Sequence, residues 1–164
     1  MGVDFGQARI GIAISDELRV VARPLCVLRW GGKELPLASL EELLQRHDIG
    51  EILVGLPRNM DGSEGPSADQ ARLFAGALAR SCRVTVRLMD ERLSSREAYR
   101  LSQAHAEGPR SSKRRAAAEL DAHAAAVILQ RYLDGEPPLP LDPRCSSVAN
   151  GQATNATNKE IPDR

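Results

Sequence analysis

The chain lacks a net charge, because its 22 lysine and arginine residues are balanced by 22 aspartate and glutamate residues. A role with nucleic acid would therefore need a local basic patch rather than the field of the whole protein. The sequence also lacks any apolar run near the roughly 20 residues that a membrane helix needs, and its apolar start is too short for a secretory signal. We therefore expect a cytoplasmic protein without a membrane partner.

Cysteine, histidine and aromatic residues are scarce. The three cysteines are widely separated and form no Cys-x-x-Cys pair, which indicates reduced thiols rather than a disulfide framework. The three histidines show no metal-ligand spacing. Aromatic residues make up 3% of the chain, so the core must be aliphatic, and a binding mode built on stacked bases is poorly supplied.

Apolar residues, at 42%, are frequent enough for one globular domain of ordinary size. The composition changes near Gly135: five of the ten prolines lie from Pro137 onward, and the end is mostly Ser, Thr, Asn, Ala and Gly. Such a stretch cannot bury enough apolar surface to offset its ordering entropy. We therefore predict a folded domain over residues 1–135 and a disordered tail over residues 136–164.

The apolar pattern predicts a mixed α/β domain. Short β-rich runs predict five strands, at residues 1–4, 9–15, 20–28, 49–56 and 84–89, and Pro24 marks the third as an edge strand or a bulge. Helical spacing and two capping boxes, at 67–70 and 94–97, predict helices over 35–47, 67–81, 94–104 and 116–133. The first three strands should pair antiparallel and the last two should join in parallel, with helices on both faces.

Three acidic positions fall where active sites gather in such a sheet. Asp4 ends the first strand, where Gly6 would let a phosphate or metal approach the backbone. Asp90 and Glu91 follow the fifth strand, and only one of them can join Asp4, because neighbouring strand residues point to opposite faces. Asp121 lies in the last helix among small residues, where a carboxylate buried alone would be costly. Each position alone also has a structural explanation, as a turn, a strand end or an exposed helical residue.

Together, three converging carboxylates can hold one or two divalent ions, Mg²⁺ or Mn²⁺, for attack of water at a phosphodiester. Basic residues in the second half of the domain support a polyanionic substrate. One group recurs every four residues, as a stripe on a helix: Arg92, Arg96 and Arg100. A second group occupies a predicted loop before the last helix: Arg110, Lys113, Arg114 and Arg115. A merely solvated surface is the alternative.

A long loop over residues 54–66 follows the buried fourth strand. It exceeds the roughly 2–6 residues of a plain connection and is dense in turn formers, which favours a substrate-facing element. Arg58 and Asn59 could meet phosphate or sugar there. A rigid loop that only holds itself together is the alternative.

At these residues the sequence resembles the YqgF/RuvX family. The resemblance covers residues 1 to about 134 and rests on four segments in the family's order: residues 3–11, 54–66, 90–95 and 121–133. It implies an RNase H-like three-layer fold in a bacterial cytoplasmic protein. The family is described as Holliday-junction resolvases and, more often, as nucleases that mature the 5′ end of pre-16S ribosomal RNA. Its acidic triad falls on Asp4, Glu91 and Asp121, which implies Glu91 rather than Asp90 as the catalytic and metal-binding acid, and Gly6 and Arg9 are expected to contact substrate.

The leading hypothesis is thus a metal-dependent endonuclease acting on structured RNA, with the small ribosomal subunit considered as a further partner. Junction resolution on branched DNA uses the same chemistry but needs a two-fold dimer, so we consider both a monomer and a homodimer. A non-catalytic nucleic-acid-binding module is a third hypothesis. A sugar-kinase or actin-like ATPase is disfavoured, because those folds need two copies of this domain. Ala118 and Ala124, one turn before and after Asp121, supply no fourth carboxylate, which weakens the case for a second metal.

Overall fold

The computed structural model describes residues 1–31, 35–92 and 110–142. Its five strands are β1 (Gly2–Phe5), β2 (Arg9–Ser15), β3 (Ala22–Arg29), β4 (Glu51–Arg58) and β5 (Thr85–Arg92). The helices in this part of the chain are α1 (Leu37–Arg46), α2 (Pro66–Ser81) and α3 (Arg110–Leu133). The predicted helix over residues 94–104 lies outside the described residues.

The strands form one mixed sheet in the order β3-β2-β1-β4-β5. β1, β2 and β3 pair antiparallel, whereas β4 pairs in parallel with both β1 and β5. The predicted pairing is therefore confirmed, and helices cover both faces of the sheet, which gives the predicted three layers. β3 is an edge strand, and its pairing shifts register between Ile12 and Ala13, opposite Pro24, so the proline occupies a position that a central strand would not tolerate.

Two apolar cores lie on the two faces of the sheet. Alternation along β2 sends Ile10 and Ile12 into the larger core, which α1 and α2 cover and which includes Leu40 and Phe74. On the other face, α3 packs through Ala125, Ile128 and Leu129. The strand residues that it meets on β1 and β2 are small: Gly2, Gly11 and Ala13. The small residues on both sides let α3 approach closely, as the alanines around Asp121 predict.

Two helix starts differ from their predictions. The capping box at 67–70 is wrong: α2 begins at Pro66 with Gly65 as its N-cap, and no side chain caps it. Proline suits the first helical position because its φ is already helical and its missing N–H would have no partner there. The predicted basic loop is also wrong for Arg110–Arg115, which lie in the first turns of α3. Lysine, arginine and alanine are strong helix formers, and no glycine or proline interrupts the run after residue 109.

The residues that follow α3 return to the sheet. Leu139 forms an antiparallel bridge with Leu88, with N–H···O distances of 2.7 and 3.1 Å, on the outer edge of β5. Residues 136–142 of the predicted tail therefore lie against the domain, whereas residues 143–164 lie outside the described part, where disorder stays a prediction. None of the described helices is long and apolar enough to cross a membrane.

Candidate active site

The first candidate acid, Asp4, is buried near the carboxyl end of β1, with 3% of its surface exposed. Its pairing partner on β2 is Gly11, and residues directly opposite in an antiparallel pair share one face of the sheet. β1 and β4 are parallel, and Val3 pairs with Val54. Gly55, the next residue of β4, therefore lies beside Asp4. Asp4 thus lies on the α3 face with a glycine on each neighbouring strand.

These two glycines make room for the other acids. A Cβ atom at Gly11 would lie 1.9 Å from the carbonyl oxygen of Asp121. A Cβ atom at Gly55 would lie 2.8 Å from a carboxylate oxygen of Glu91 and 2.6 Å from Ile128 on α3. The main chain of Asp121 and the side chain of Glu91 therefore occupy space that any larger residue at these sheet positions would fill.

Glu91 and Asp90 point to opposite faces, as their adjacent positions in β5 require. Glu91 is 8% exposed and reaches the α3 face beside Gly55. Asp90 turns to the other face, where the guanidinium of Arg58 lies 3.1 Å from its carboxylate. The structure therefore brings Glu91, and not Asp90, to the face that holds Asp4.

Asp121 is also buried, at 8% exposure, and its carboxylate accepts a 2.5 Å hydrogen bond from Nε of Arg9 on β2. The Arg9 side chain is 37% exposed, so its guanidinium links the buried acid to the surface. A buried carboxylate without such a partner would carry a large desolvation cost. Arg9, expected from sequence to contact substrate, is therefore part of the acidic cluster itself.

The donor set fits a hard divalent cation. All three acids offer carboxylate oxygens, the ligand type that Mg²⁺ and Mn²⁺ prefer. The glycines let Glu91 and the main chain of Asp121 approach the sheet beside Asp4. Within the described residues, however, no three His, Cys, Asp or Glu side chains form a group that could hold a metal ion as they stand. Asp121 is engaged by Arg9 and would have to exchange or share this partner to join Asp4 and Glu91.

Comparisons with known proteins identify the family of the chain. The sequence model of RuvX, described as "Holliday junction resolvase", matches residues 1–135. The chain belongs to the RuvX family. A relative from Anaeromyxobacter sp. (strain Fw109-5), named "Putative pre-16S rRNA nuclease", is 50% identical over 135 residues, which are 82% of this chain and 96% of the relative. A relative of the same name from Myxococcus xanthus (strain DK1622) is 41% identical over 138 residues, 84% of this chain and 89% of its own.

Membership of RuvX makes the chain a nuclease, a hydrolase of phosphodiester bonds, and this prediction is confirmed. Among solved structures, Thermus thermophilus RuvC in complex with a Holliday junction substrate has a TM-score of 0.43 and 18% identity, covering 85% of this chain and 97% of that chain.

In this RuvX chain, Gly6 serves the turn between β1 and β2. Its N–H donates to the carbonyl of Arg9 at 2.9 Å, and its carbonyl accepts from the indole N–H of Trp30 at 3.0 Å. A Cβ atom there would lie 2.9 Å from the Arg9 carbonyl oxygen. The tight turn accounts for the glycine, and a contact between Gly6 and substrate stays a prediction.

The loop after β4 holds itself together, as the structural alternative anticipates. Besides its ion pair with Asp90, Arg58 donates to the carbonyl of Gly62 at 2.6 Å. Asn59 bonds Ser63 twice, through its main-chain N–H at 2.9 Å and its side-chain amide at 2.8 Å. The predicted substrate contacts of Arg58 and Asn59 are untested, but the polar groups of both residues brace the loop.

The six remaining predicted substrate contacts have no described side chain. Arg96 lies outside the described residues, and for the others the structure gives the backbone only: Arg92, Arg110, Lys113, Arg114 and Arg115. The helix backbone puts Arg114 two turns before Asp121, about 10 Å along the axis at 1.5 Å per residue. The basic first turns of α3 thus lead directly to the acidic cluster.

The sequence did not predict a role at the site for two residues near the end of α3. Arg131 donates at 2.7 Å to the carbonyl of Asp90, the peptide group that precedes Glu91. Gln130 accepts from the N–H of Ala22 at 2.9 Å and donates to the carbonyl of Val20 at 3.0 Å, which ties α3 to the β2–β3 hairpin. Both residues lie inside the 121–133 family segment, but their partners, 41 to 110 residues away, leave no signal in the sequence.

Proposed function

We propose that the chain is a metal-dependent endonuclease that cleaves structured RNA in the cytoplasm, with the 5′ end of pre-16S ribosomal RNA as its substrate. The observation that carries this proposal is the burial of Asp4, Glu91 and Asp121 on one face of the sheet, around Gly11 and Gly55. The names of the curated relatives support the choice of RNA.

Asp4, Glu91 and Asp121 would hold the ion, Mg²⁺ or Mn²⁺. When bound, a divalent ion activates water and stabilises the leaving oxygen of a phosphodiester. The burial of the three acids keeps bulk water away and strengthens their attraction for a cation. The part-exposed Arg9 can donate charge-assisted hydrogen bonds to a phosphate oxygen at the same place.

The basic residues would position the substrate strand. Phosphate contacts fix the register of a nucleic acid without reading its sequence, which suits a nuclease that must centre one bond on its acids. The residues proposed for this role flank the cluster in the chain: Arg92, Arg96, Arg110, Lys113, Arg114 and Arg115. The small ribosomal subunit would then be the context in which the precursor is presented.

A second candidate function is cleavage of branched DNA, which the description of the matching family favours. Two coordinated cuts in a junction require two active sites related by a two-fold axis. A resolvase would therefore sediment as a homodimer, whereas RNA maturation is open to a monomer.

Cleavage of matched substrates tests both functions. A precursor RNA fragment, a DNA of the same sequence and a four-way junction are incubated with the wild type, with Glu91→Gln and with the control Glu17→Gln, which removes the same charge at an exposed site. The proposal predicts that Mg²⁺ or Mn²⁺ supports cleavage of the RNA by the wild type and the control, but not by Glu91→Gln. Preferential cutting of the junction would support the second function, and cutting by Glu91→Gln would contradict both.

A further inference from the structure

The few aromatic residues of the chain are concentrated in one place. The sequence has two phenylalanines, two tyrosines and one tryptophan. Both phenylalanines and the tryptophan line a single open cleft of about 480 Å³. Its walls are Phe5, Gln7, Trp30, Gln70, Leu73 and Phe74, with Leu35 beside them. A composition that supplies few stacking partners therefore still builds one aromatic site.

The aromatic walls are fixed by their own contacts. The rings of Phe5 and Phe74 stack with centroids 4.4 Å apart, and those of Phe5 and Trp30 lie 5.6 Å apart at a tilt. The indole N–H of Trp30 is bound to the Gly6 carbonyl, which anchors that ring to the β1–β2 turn. Because the rings are held before any ligand arrives, little side-chain entropy remains to be lost on binding.

The cleft adjoins the acidic cluster across the end of the sheet. Phe5 directly follows Asp4 and, by strand alternation, projects to the opposite face. β1 ends at Phe5 and β2 begins at Arg9, so Asp4 and Phe5 both lie beside the short turn at this end of the sheet. A strand whose phosphate lies at Asp4 can therefore pass over this turn and reach the cleft with a neighbouring nucleotide.

The aromatic rings and amide groups of the walls favour a flat, neutral ligand that can form hydrogen bonds. The described residues that line the cleft are all uncharged, so these residues offer a phosphate no counter-charge. The amides of Gln7 and Gln70 are exposed and offer both donors and acceptors, as the edge of a base requires. Leu73, which is 53% exposed, extends the apolar wall to solvent.

We propose that this cleft binds an unstacked nucleobase of the substrate strand, next to the phosphate held at the acidic cluster. This inference rests on the proposed nuclease function and adds to it a base-binding subsite. Such a subsite favours single-stranded or distorted substrate, because a base inside a regular duplex cannot enter the cleft.

Trp30, as the sole tryptophan, reports on the cleft directly. Its fluorescence is measured while a short single-stranded RNA, or a fully abasic strand of equal length and charge, is added in EDTA. We expect the RNA to quench Trp30 with a Kd about tenfold lower than that of the abasic strand, the loss typical of one stacked base. Leu73→Glu should abolish this difference, whereas Leu18→Glu, an equally charged change at an exposed leucine outside the cleft, should preserve it.

Equal affinity for the two strands, binding of RNA by anisotropy without quenching, or no binding of either strand would each overturn the subsite. The outcome is independent of the cleavage assay, because EDTA removes the metal. Quenching without any cleavage of RNA in Mg²⁺ or Mn²⁺ would leave the subsite standing and remove the proposed metal-dependent cleavage of RNA. Cleavage of RNA, together with equal affinity for the RNA and the abasic strand, would remove the subsite and leave the proposed cleavage standing.

Discussion

Gly11 on β2 lies against the main chain of Asp121 on α3, so closely that a Cβ atom on Gly11 would be 1.9 Å from the Asp121 carbonyl oxygen. Gly11 is also the strand partner of Asp4. One small residue therefore sets the distance between the helix that carries one acid and the strand that carries another. The packing of α3 and the geometry of the acidic cluster are coupled through this contact.

Replacing Gly11 with alanine should push α3 from the sheet and lower the free energy of unfolding by about 1–3 kcal/mol, the usual cost of overpacking. The displaced Asp121 should slow cleavage in the same variant. Gly50→Ala is the matched control, since nothing lies within 4 Å of its Cβ position, and it should be neutral or slightly stabilising. Urea unfolding measures both, and equal stability of the two variants would contradict the close packing.

The ion pair between Arg9 and Asp121 predicts a metal-dependent stability effect. Without metal, Arg9→Gln should lower the free energy of unfolding by about 1 kcal/mol, because the buried acid loses a partner that is itself partly screened by solvent. In saturating Mg²⁺ the loss should shrink, since the cation then neutralises the acid. Arg46→Gln, which removes an exposed pair with Glu42, should cost a few tenths of a kcal/mol whether or not Mg²⁺ is present. A loss for Arg9→Gln that does not change with Mg²⁺ would argue that Asp121 holds no ion.

A variant of Arg58 can show whether this side chain stabilises the loop after β4 or contacts the substrate. If it braces the loop through Asp90 and Gly62, Arg58→Gln should lower stability but leave the salt dependence of RNA binding unchanged. A side chain that contacts phosphate instead contributes about one to the slope of log Kd against log salt. Losing such a contact should therefore lower the slope by about one, and we expect this decrease for Lys113→Gln. A reduced slope for Arg58→Gln would restore Arg58 as a phosphate contact.

Local patterns predicted most of the fold. Ile10 and Ile12 alternate as a half-buried strand requires, and Pro24 marked the edge strand correctly. The helix starts were harder, because a Ser-x-x-Gln pattern competes with the stronger preference of Pro66 for the first helical position. The basic segment before residue 116 reads as a loop by its charge but as a helix by its propensity, and propensity decided its structure.

The site was predicted only in part, because its contacts join residues that are far apart in the sequence. Strand alternation left Asp90 and Glu91 as alternatives, and the choice needed either a family resemblance or the register of β5. The partner of Arg9 lies 112 residues away on another element, so its pairing with Asp121 could not be read from spacing. Likewise, Phe5, Trp30 and Phe74 share a cleft only because the sheet and α2 bring them together.

The residues that follow α3 can be tested with two truncated chains. Leu139 closes the exposed edge of β5, and Leu139 and Leu141 pack on the larger core. A chain ending at Gly135 should lose about 1–3 kcal/mol of stability, and its uncovered edge should promote association at high concentration. A chain ending at Asp142 should behave as the full-length protein. Thermal unfolding and sedimentation check both, and matching behaviour of the two truncations would show that the Leu88–Leu139 bridge contributes nothing.

The central claim is that Asp4, Glu91 and Asp121 together hold a divalent ion. Isothermal titration with Mn²⁺ tests it most directly, on the wild type, on Asp4→Asn, Glu91→Gln and Asp121→Asn, and on the control Glu17→Gln. We predict that the wild type and the control bind Mn²⁺ with the same affinity and that each of the three site variants binds it far more weakly while remaining folded. Undiminished Mn²⁺ binding by all three site variants would contradict the account.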